Sequence, residues 1–244
     1  MNNIKAIFKR ELYGYFSTPV AYVFIVIFLF LTGIFTFYIG SFYERNQADL
    51  EPFFRFHPWL YLFLIPAIAM RLWSEERKSG TIELLMTLPI SIGDAVIGKF
   101  LAAWCFSGIA LALTFPMWLT VAYLGEPDHT VILASYIASL LMAGGFLAIG
   151  SCISAITRSQ VIAFIISVVI CFLFILSGFP LVLNFFQAWA PQILIDAIAS
   201  FSFLTHFEAI RKGVIDLRDL IYFGVLIVFW LYATVVTIEA KKAG

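Results

Sequence analysis

Six runs of apolar residues, separated by short polar segments, follow one another along the chain. A helix that crosses a lipid bilayer needs about 20 mainly apolar residues, because it rises about 1.5 Å per residue through a hydrocarbon core about 30 Å thick. The runs lie at 19–42, 53–73, 95–124, 130–156, 160–183 and 219–238. This pattern predicts an all-α integral membrane protein with six transmembrane helices, formed as a single domain over residues 1–244.

Composition supports the membrane interpretation. The chain is 62% hydrophobic and only 12% charged, whereas a soluble domain is about half apolar and about a quarter charged. The formal net charge is zero, so there is no electrostatic basis for binding nucleic acid. Cys105, Cys152 and Cys171 lie in apolar runs without a C-x-x-C spacing, which favours packing residues over a disulfide or a metal cluster.

The first 18 residues carry a regular apolar stripe before the first run. Lys5, Lys9 and Glu11 fall largely on the opposite face. Such a helix suits a membrane interface, with its apolar side toward the bilayer and its cations near the headgroups, although a solvated tail is the alternative. The stripe consists of Ile4, Ile7, Phe8, Leu12 and Tyr15.

The lysines and arginines predict the orientation, because cytoplasmic loops carry an excess of them. With a cytoplasmic N-terminus, five of the fifteen lie outside, namely Arg45, Arg55, Arg211, Lys212 and Arg218. The other ten lie inside, namely Lys5, Lys9, Arg10, Arg71, Arg77, Lys78, Lys99, Arg158, Lys241 and Lys242. Both termini are therefore predicted to be cytoplasmic.

The segment 185–210 is apolar enough to resemble a further span. If it crossed, the count of cations would become eleven inside against four outside, so charge does not exclude that layout. Pro191 leaves about 15 apolar residues before His206, and Asp196 would cost about 2.5–3.5 kcal/mol near the centre of a membrane helix. We therefore expect short helices that dip into the outer leaflet, within an extracytoplasmic re-entrant segment at 185–218.

A short helix is predicted between the second and third runs, within SEERKSGTIELLMTLPIS at 74–91. Gly80 ends the preceding helix, Thr81 can cap the next one, and Pro89 stops it. Ile82, Leu85 and Met86 share one face of about two turns. A helix this short needs a docking surface, which could be the bilayer, the neighbouring spans or a cytoplasmic protein.

Catalytic motifs are not visible. The stretch Gly93–Lys99 fits G-x-x-x-x-G-K, but Phe100 stands where a phosphate-binding loop needs Ser or Thr, and no buried strand precedes it. We therefore do not expect the chain to be its own ATPase. Glu126, Asp128 and His129 lie within one loop without a second cluster, which favours hydrated loop residues over a metal site.

Ionisable residues lie only near the ends of the predicted spans. Ion-coupled transporters usually carry such groups deep in the membrane. The pattern therefore indicates that the energy for any movement comes from a partner.

Two features of the spans leave alternatives open. Phe24, Phe28, Phe35 and Tyr38 in the first span are typical of lipid-facing or packing residues rather than substrate contacts. The fourth span carries small residues at helical spacing, which allow close helix approach either within one subunit or between two copies. These small residues are Ser135, Ser139, Ala143, Gly144, Ala148 and Cys152.

The segment EERKSGTIELLMTLPIS resembles the coupling-helix region of ABC-2 type transporter permeases, which typically reads E-x-x-x-G-T-x-E-x-L-x-x-x-P-(I/V). The resemblance covers nearly the whole chain. KRELYGYFSTPVAYVF at 9–24, PWLYLFLIPAIAMRLWSEE at 58–76 and THFEAIRKGVIDLRDLIYF at 205–223 are similar to the subfamily that includes the gliding-motility transporter.

This resemblance implies a permease subunit of an ABC exporter in a bacterial inner membrane. A separate cytoplasmic ATPase would bind ATP and Mg and engage the coupling-helix region at 75–90. The implied partners also include a second permease copy or a related permease, and a membrane protein with a large periplasmic domain. The implied coupling residues are Glu75, Glu76, Gly80, Thr81, Ile82, Glu83, Leu84, Leu85, Met86 and Pro89.

Two alternatives follow from the same resemblance. The chain could be an ATPase-driven scaffold for envelope assembly that transports no solute. It could also resemble copper-related permeases of similar size, although its Met and Cys residues form no ladder.

Overall fold

A computed structural model describes residues 2–87, 89–187, 191–213 and 216–241. Within these ranges the chain is all-helical. A π-helical segment, Phe35–Ile39, continues the second helix. The α-helices are α1 Asn2–Phe16, α2 Pro19–Ile34, α3 Glu51–Arg55, α4 His57–Ala69, α5 Arg71–Ser79, α6 Thr81–Thr87, α7 Ile92–Ala112, α8 Phe115–Leu124, α9 His129–Ile156, α10 Gln160–Leu176, α11 Pro180–Gln187, α12 Gln192–Ser200, α13 Phe203–Arg211 and α14 Leu217–Ala240.

Four helical stretches in the described part are long and apolar enough to cross a membrane: Pro19–Ile39, Ile92–Leu124, His129–Ile156 and Leu217–Ala240. They coincide with the first, third, fourth and sixth predicted runs. The helices α12 and α13 are bent by 71° at a short break. If this bent pair counts as one span, the described part contains five candidate membrane spans. The bend suits a broken span or a re-entrant loop equally, so the predicted re-entrant segment stays a prediction.

The second and fifth predicted spans are shorter than expected. The fifth, α10, has 17 residues, which is the lower limit for crossing the hydrocarbon core. The second is divided into α3, α4 and α5, and α4 has only 13 residues. The six-span layout is therefore a prediction that helix length alone does not establish.

A serine of α9 accounts for the break between α4 and α5. Ser154 Oγ accepts hydrogen bonds from the backbone N–H groups of Trp73, at 3.1 Å, and Ser74, at 3.0 Å, and it donates to the carbonyl of Met70 at 2.9 Å. A side chain inserted into the ladder of backbone bonds bends a helix. The second span is thus broken by a tertiary contact 80 residues away in sequence.

Helix α9 is the centre of the bundle. In its membrane-length window 72% of residues are buried, against 22% for the first span. A Cβ atom on Gly150 would lie 2.4 Å from Cβ of Ala69 in α4, and one on Gly145 would lie 2.7 Å from the ring of Phe203 in α13. The six small residues of the fourth span are all buried within the single chain. They serve contacts inside one subunit, which answers the alternative left open by the sequence.

Helix α1 packs its apolar stripe on protein. Ile7 is buried against Gly98 of α7, and the ring of Tyr15 stacks on Phe106 with centroids 5.0 Å apart. A Cβ atom on Gly98 would lie 2.8 Å from Cγ2 of Ile7, so only glycine permits this approach. The helix is therefore present as predicted, but its apolar face turns toward α7 instead of the bilayer. Its place at a membrane interface stays a prediction.

Candidate functional site

The predicted short helix after the second span is present. Gly80 ends α5 in the left-handed conformation, with φ of 75°, as a glycine at this position allows. Helix α6 begins at Thr81 and ends at Thr87, so Thr81 is its first residue rather than the residue before it. Leu88 lies outside the described residues, and Pro89 follows.

The polar groups of this region point in two directions. Glu75, Lys78, Thr81 and Glu83 are exposed, as are Gly80 and Pro89. Ile82 is half-buried and packs on the apolar core. The side chains of Leu84, Leu85 and Met86 lie outside the described residues, so their predicted contact with a partner is a proposal. The exposed groups leave α6 accessible from solvent.

Glu76, by contrast, turns inward to Lys99 of α7. Lys99 Nζ lies 2.8 Å from Oε1 of Glu76 and 3.2 Å from Oε1 of Glu11 in α1. The lysine side chain is 5% exposed and the two carboxylate side chains are 21% exposed. We call Glu11, Lys99 and Glu76 the inner ion triad. It joins the first helix, the helix before α6 and the third span at one point.

Arg10 completes the charge balance of the triad. Its Nη2 lies 2.7 Å from Oε1 of Glu11, so two cations face two carboxylates. Burial alone would raise the pKa of Glu11, but the charges of Lys99 and Arg10 outweigh it and hold that pKa below its ordinary value. Removing one member of such a network would leave an uncompensated charge, which costs far more than the intact network contributes.

Trp73 and two serines fix α5 to the central helix. Trp73 Nε1 donates to Ser151 Oγ at 3.1 Å, and Lys99 Nζ lies 5.4 Å from the centroid of the Trp73 ring, within range of a cation–π interaction. Together with the bonds of Ser154, these contacts attach α5 to α9. Helix α6 therefore follows a helix that is bonded directly to α7 and α9, and to α1 through Lys99.

The near-match to a phosphate-binding loop has a structural explanation. Gly98 admits Ile7 of α1, and Lys99 is held by two carboxylates. Neither residue is free to cradle a phosphate. Sequence reasoning missed the role of Lys99. It lies within the predicted run 95–124, and a lysine there is rarely buried unless it is paired, which is the signal that could have found it.

The three histidines have separate surroundings. His57 is enclosed by the rings of Phe28, Phe53, Phe54 and Tyr61. His129 Nδ1 accepts from Trp118 Nε1 at 2.9 Å, while Asp128 next to it caps α9 by accepting from the N–H groups of residues 130 and 131. Among the described residues, no three His, Cys, Asp or Glu side chains form a group that could hold a metal ion.

His206 and Asp219 form a buried pair at the far end of the bundle. His206 Nδ1 lies 2.6 Å from Asp219 Oδ1, its Nε2 lies 3.0 Å from the carbonyl of Ser200, and its ring stacks on Tyr222 with centroids 3.9 Å apart. These contacts fasten the bent pair α12–α13 to the start of α14.

Comparison with known proteins gives two findings. A model of the family described as ABC-2 family transporter protein matches residues 6–239. Heme exporter protein B of Paracoccus denitrificans (strain Pd 1222) is 32% identical over 79 residues, which cover 31% of this chain and 36% of that relative. The similarity to this curated protein thus spans about a third of its length.

The apolar helices around α9 define a multi-pass membrane protein. The chain belongs to the ABC-2 family of transporter proteins, whose members are membrane permease components of ABC transporters. In this family the permease is the transmembrane subunit and not the ATPase, and it generally works with a cytoplasmic ABC ATPase.

Proposed function

We propose that this permease couples ATP hydrolysis in a separate ATPase subunit to export across the membrane, and that residues 75–90 receive the ATPase. The ATPase would bind ATP and Mg. The observation that best supports the proposal is how α6 is attached to the rest of the protein through α5. This exposed short helix follows α5, which the inner ion triad and the serine contacts of α9 bond to three other helices. Force applied to α6 would therefore reach α1, α7 and α9 together.

Polar contacts with the ATPase are assigned to Glu75, Lys78, Thr81 and Glu83, because their side chains are exposed. Leu84, Leu85 and Met86 would fill a groove of the ATPase or anchor α6. Glu76 is removed from the set of direct contacts, since one of its oxygens lies on Lys99 and the other is buried. Its proposed role is transmission of movement to α7.

The ATPase contact is tested by co-purification. Glu83→Arg combined with Leu85→Asp is expected to abolish co-purification with the co-expressed ATPase while the permease still inserts into the membrane. Glu126→Arg, a charge reversal in the loop before α9, is the control and should leave binding unchanged. Retained binding in the double variant would remove the coupling assignment.

The proposed topology has six spans with both termini in the cytoplasm. The bent pair α12–α13 would re-enter the outer leaflet. The second span would be residues 53–73, formed by α3, α4 and the first residues of α5, and α10 would be the fifth. A cysteine at Gly244, in a chain without its native cysteines, should react with a membrane-impermeant thiol reagent only from the cytoplasmic side. Reaction from outside would mean that the bent pair crosses the membrane.

A homodimer or a pair of related permeases is proposed, with its seam away from the small residues of α9, because these are covered within one chain. A membrane partner with a large periplasmic domain and the gliding-motility subfamily are also proposals from resemblance.

The name of the relative makes haem the first cargo to test. If ATPase activity rises with partner proteins and not with any released solute, the chain is a scaffold for envelope assembly instead.

A further inference from the structure

Three cations from three separate elements converge at the end of α9. Arg77, on α5, donates a hydrogen bond to the carbonyl of Ala155, and Lys241, just after α14, donates to the carbonyl of Ile156. Arg158 follows in the turn between α9 and α10. Three positive charges that are distant in sequence thus meet at one helix end.

This cluster has no anionic partner in the described ranges. Ion pairs there join Lys99, Arg10, Arg45, Arg211 and His206 to carboxylates, and none includes a member of the cluster. Burial and the charge of Arg158 lower the pKa of Arg77, and burial with the charges of Arg77 and Arg158 lowers that of Lys241. The carbonyl end of α9 supplies only a partial negative charge. The cluster therefore attracts an anion.

An apolar surface leads away from the cluster along α10. This helix begins at Gln160, directly after Arg158 and the capping residue Ser159. Its side chains Val161, Ile162 and Ile165 are 66%, 50% and 54% exposed. A positive site at a helix end beside an exposed apolar track matches an amphiphile with an anionic head.

We propose that Arg77, Arg158 and Lys241 bind the phosphate of an anionic phospholipid, whose acyl chains lie along the exposed face of α10. Helices that span the hydrocarbon core end near the level of the lipid headgroups, where phosphate is abundant. Basic sites between membrane helices on the cytoplasmic side are suited to such headgroups. The site requires that the chain lies in a membrane, and it does not depend on coupling to an ATPase.

The test measures lipid binding to the purified full chain by native mass spectrometry. Short-chain phosphatidylglycerol is titrated into wild type, into Arg158→Gln with Lys241→Gln, and into Lys9→Gln with Lys78→Gln. All four substituted side chains are exposed, so both double variants should fold, and each removes two positive charges. A cation near a membrane surface contributes about a fivefold factor in affinity, so the cluster variant should bind about 25-fold more weakly. The control should bind like wild type.

Short-chain phosphatidylcholine and inorganic phosphate are the other two ligands, and the proposal predicts weak binding of both. If both double variants lose the same affinity for phosphatidylglycerol, the lipid is attracted unspecifically to surface charge, and the proposed site is wrong. Binding of inorganic phosphate as tight as that of phosphatidylglycerol would overturn the lipid assignment. If the cluster variant binds lipid like wild type but no longer co-purifies with the ATPase, the proposal is wrong and the three cations bind the ATPase instead.

Discussion

Buried polar contacts hold the two ends of the bundle in different ways. At the end that carries α6, which the proposed topology makes the inner end, Lys99 connects helices that lie far apart in sequence, since its carboxylate partners belong to α1 and α5. At the opposite end, the outer end of the proposed topology, His206 and Asp219 are 13 residues apart and connect neighbouring helices, α13 and α14. The contacts of Lys99 thus join distant helices, whereas the pair of His206 and Asp219 joins adjacent ones, and the more exposed pair of Arg211 with Glu51 links α13 to α3 at the same end.

This difference indicates which helices should move as one unit. Burying charges is costly, and a buried network resists separation because each separated charge would be left uncompensated. The inner ion triad should therefore keep α1, α5 and α7 together as one unit. The bent pair α12–α13 has a long-range contact as well: Nη1 of Arg211 in α13 lies 2.8 Å from Oε1 of Glu51 in α3, so movement of the pair would break this ion pair together with the contact of His206 and Asp219.

The largest effect is expected from Lys99→Met. Loss of the lysine leaves the carboxylates of Glu11 and Glu76 facing each other in a partly buried site, which should reduce the free energy of unfolding by about 3–5 kcal/mol. Chemical unfolding in detergent measures this loss. Lys78→Met, at an exposed lysine of the same region, should change the stability by no more than about 0.5 kcal/mol. Equal effects of the two variants would mean that the triad is not a structural link.

A smaller effect is expected at the outer end from His206→Ala. The variant removes hydrogen bonds to Asp219 and to the carbonyl of Ser200. A bond to a carboxylate contributes about 1.5–3 kcal/mol and a bond to a neutral carbonyl about 0.5–1.5 kcal/mol. Hydrogen exchange should increase in α12 and α13 while α1 and α5 stay protected. His129→Ala is the control at a solvent-exposed histidine. Increased exchange throughout the bundle would contradict a local role for the pair.

Gly98→Ala should have a still smaller effect, confined to the inner end. Its Cβ would lie 2.8 Å from Ile7, and overpacking costs about 1–3 kcal/mol, partly offset by the gain of about 1 kcal/mol for replacing a helical glycine. Gly93→Ala, in the same helix with only Ser91 Oγ at 3.9 Å, should be neutral or stabilising. Thermal unfolding of the two variants measures the difference. A higher unfolding temperature in both variants would show that α1 does not pack closely on α7.

Acid should weaken both ends slightly. Burial alone would raise the pKa of Glu51, but its bonds to Arg45 and Arg211 hold it, like that of Glu11, below the ordinary value of 4.5. A lowered pKa stabilises the fold fully above the ordinary value, and this contribution is lost as pH falls through the lowered one. Stability measured from about pH 6 to about pH 3.5 should therefore decline. The decline should be shallower in Lys99→Met, and an identical slope would contradict the assignment to Glu11.

Local signals in the sequence were sufficient for much of the fold. Apolar run lengths located four membrane-length helices, and Gly80 with Pro89 bounded α6. The break at Met70 was not predictable, because it depends on Ser154 of another helix. The direction of Glu76 was missed for the same reason: its neighbours Glu75 and Lys78 are exposed, and only the position of Lys99 on α7 turns Glu76 inward. Contacts between distant helices leave no mark in local spacing.

The central claim is that α1 and α5 move together when an ATPase acts on α6. Nitroxide labels at Gly14→Cys and Glu75→Cys, with the native cysteines replaced, measure their separation in the complex with the ATPase. A second pair, Glu75→Cys and Glu126→Cys, measures the distance between the two ends of the bundle. On trapping with ATP and vanadate, the account predicts an unchanged distance between 14 and 75 and a changed distance between 75 and 126. A nucleotide-dependent change between 14 and 75 as large as that between 75 and 126 would contradict it.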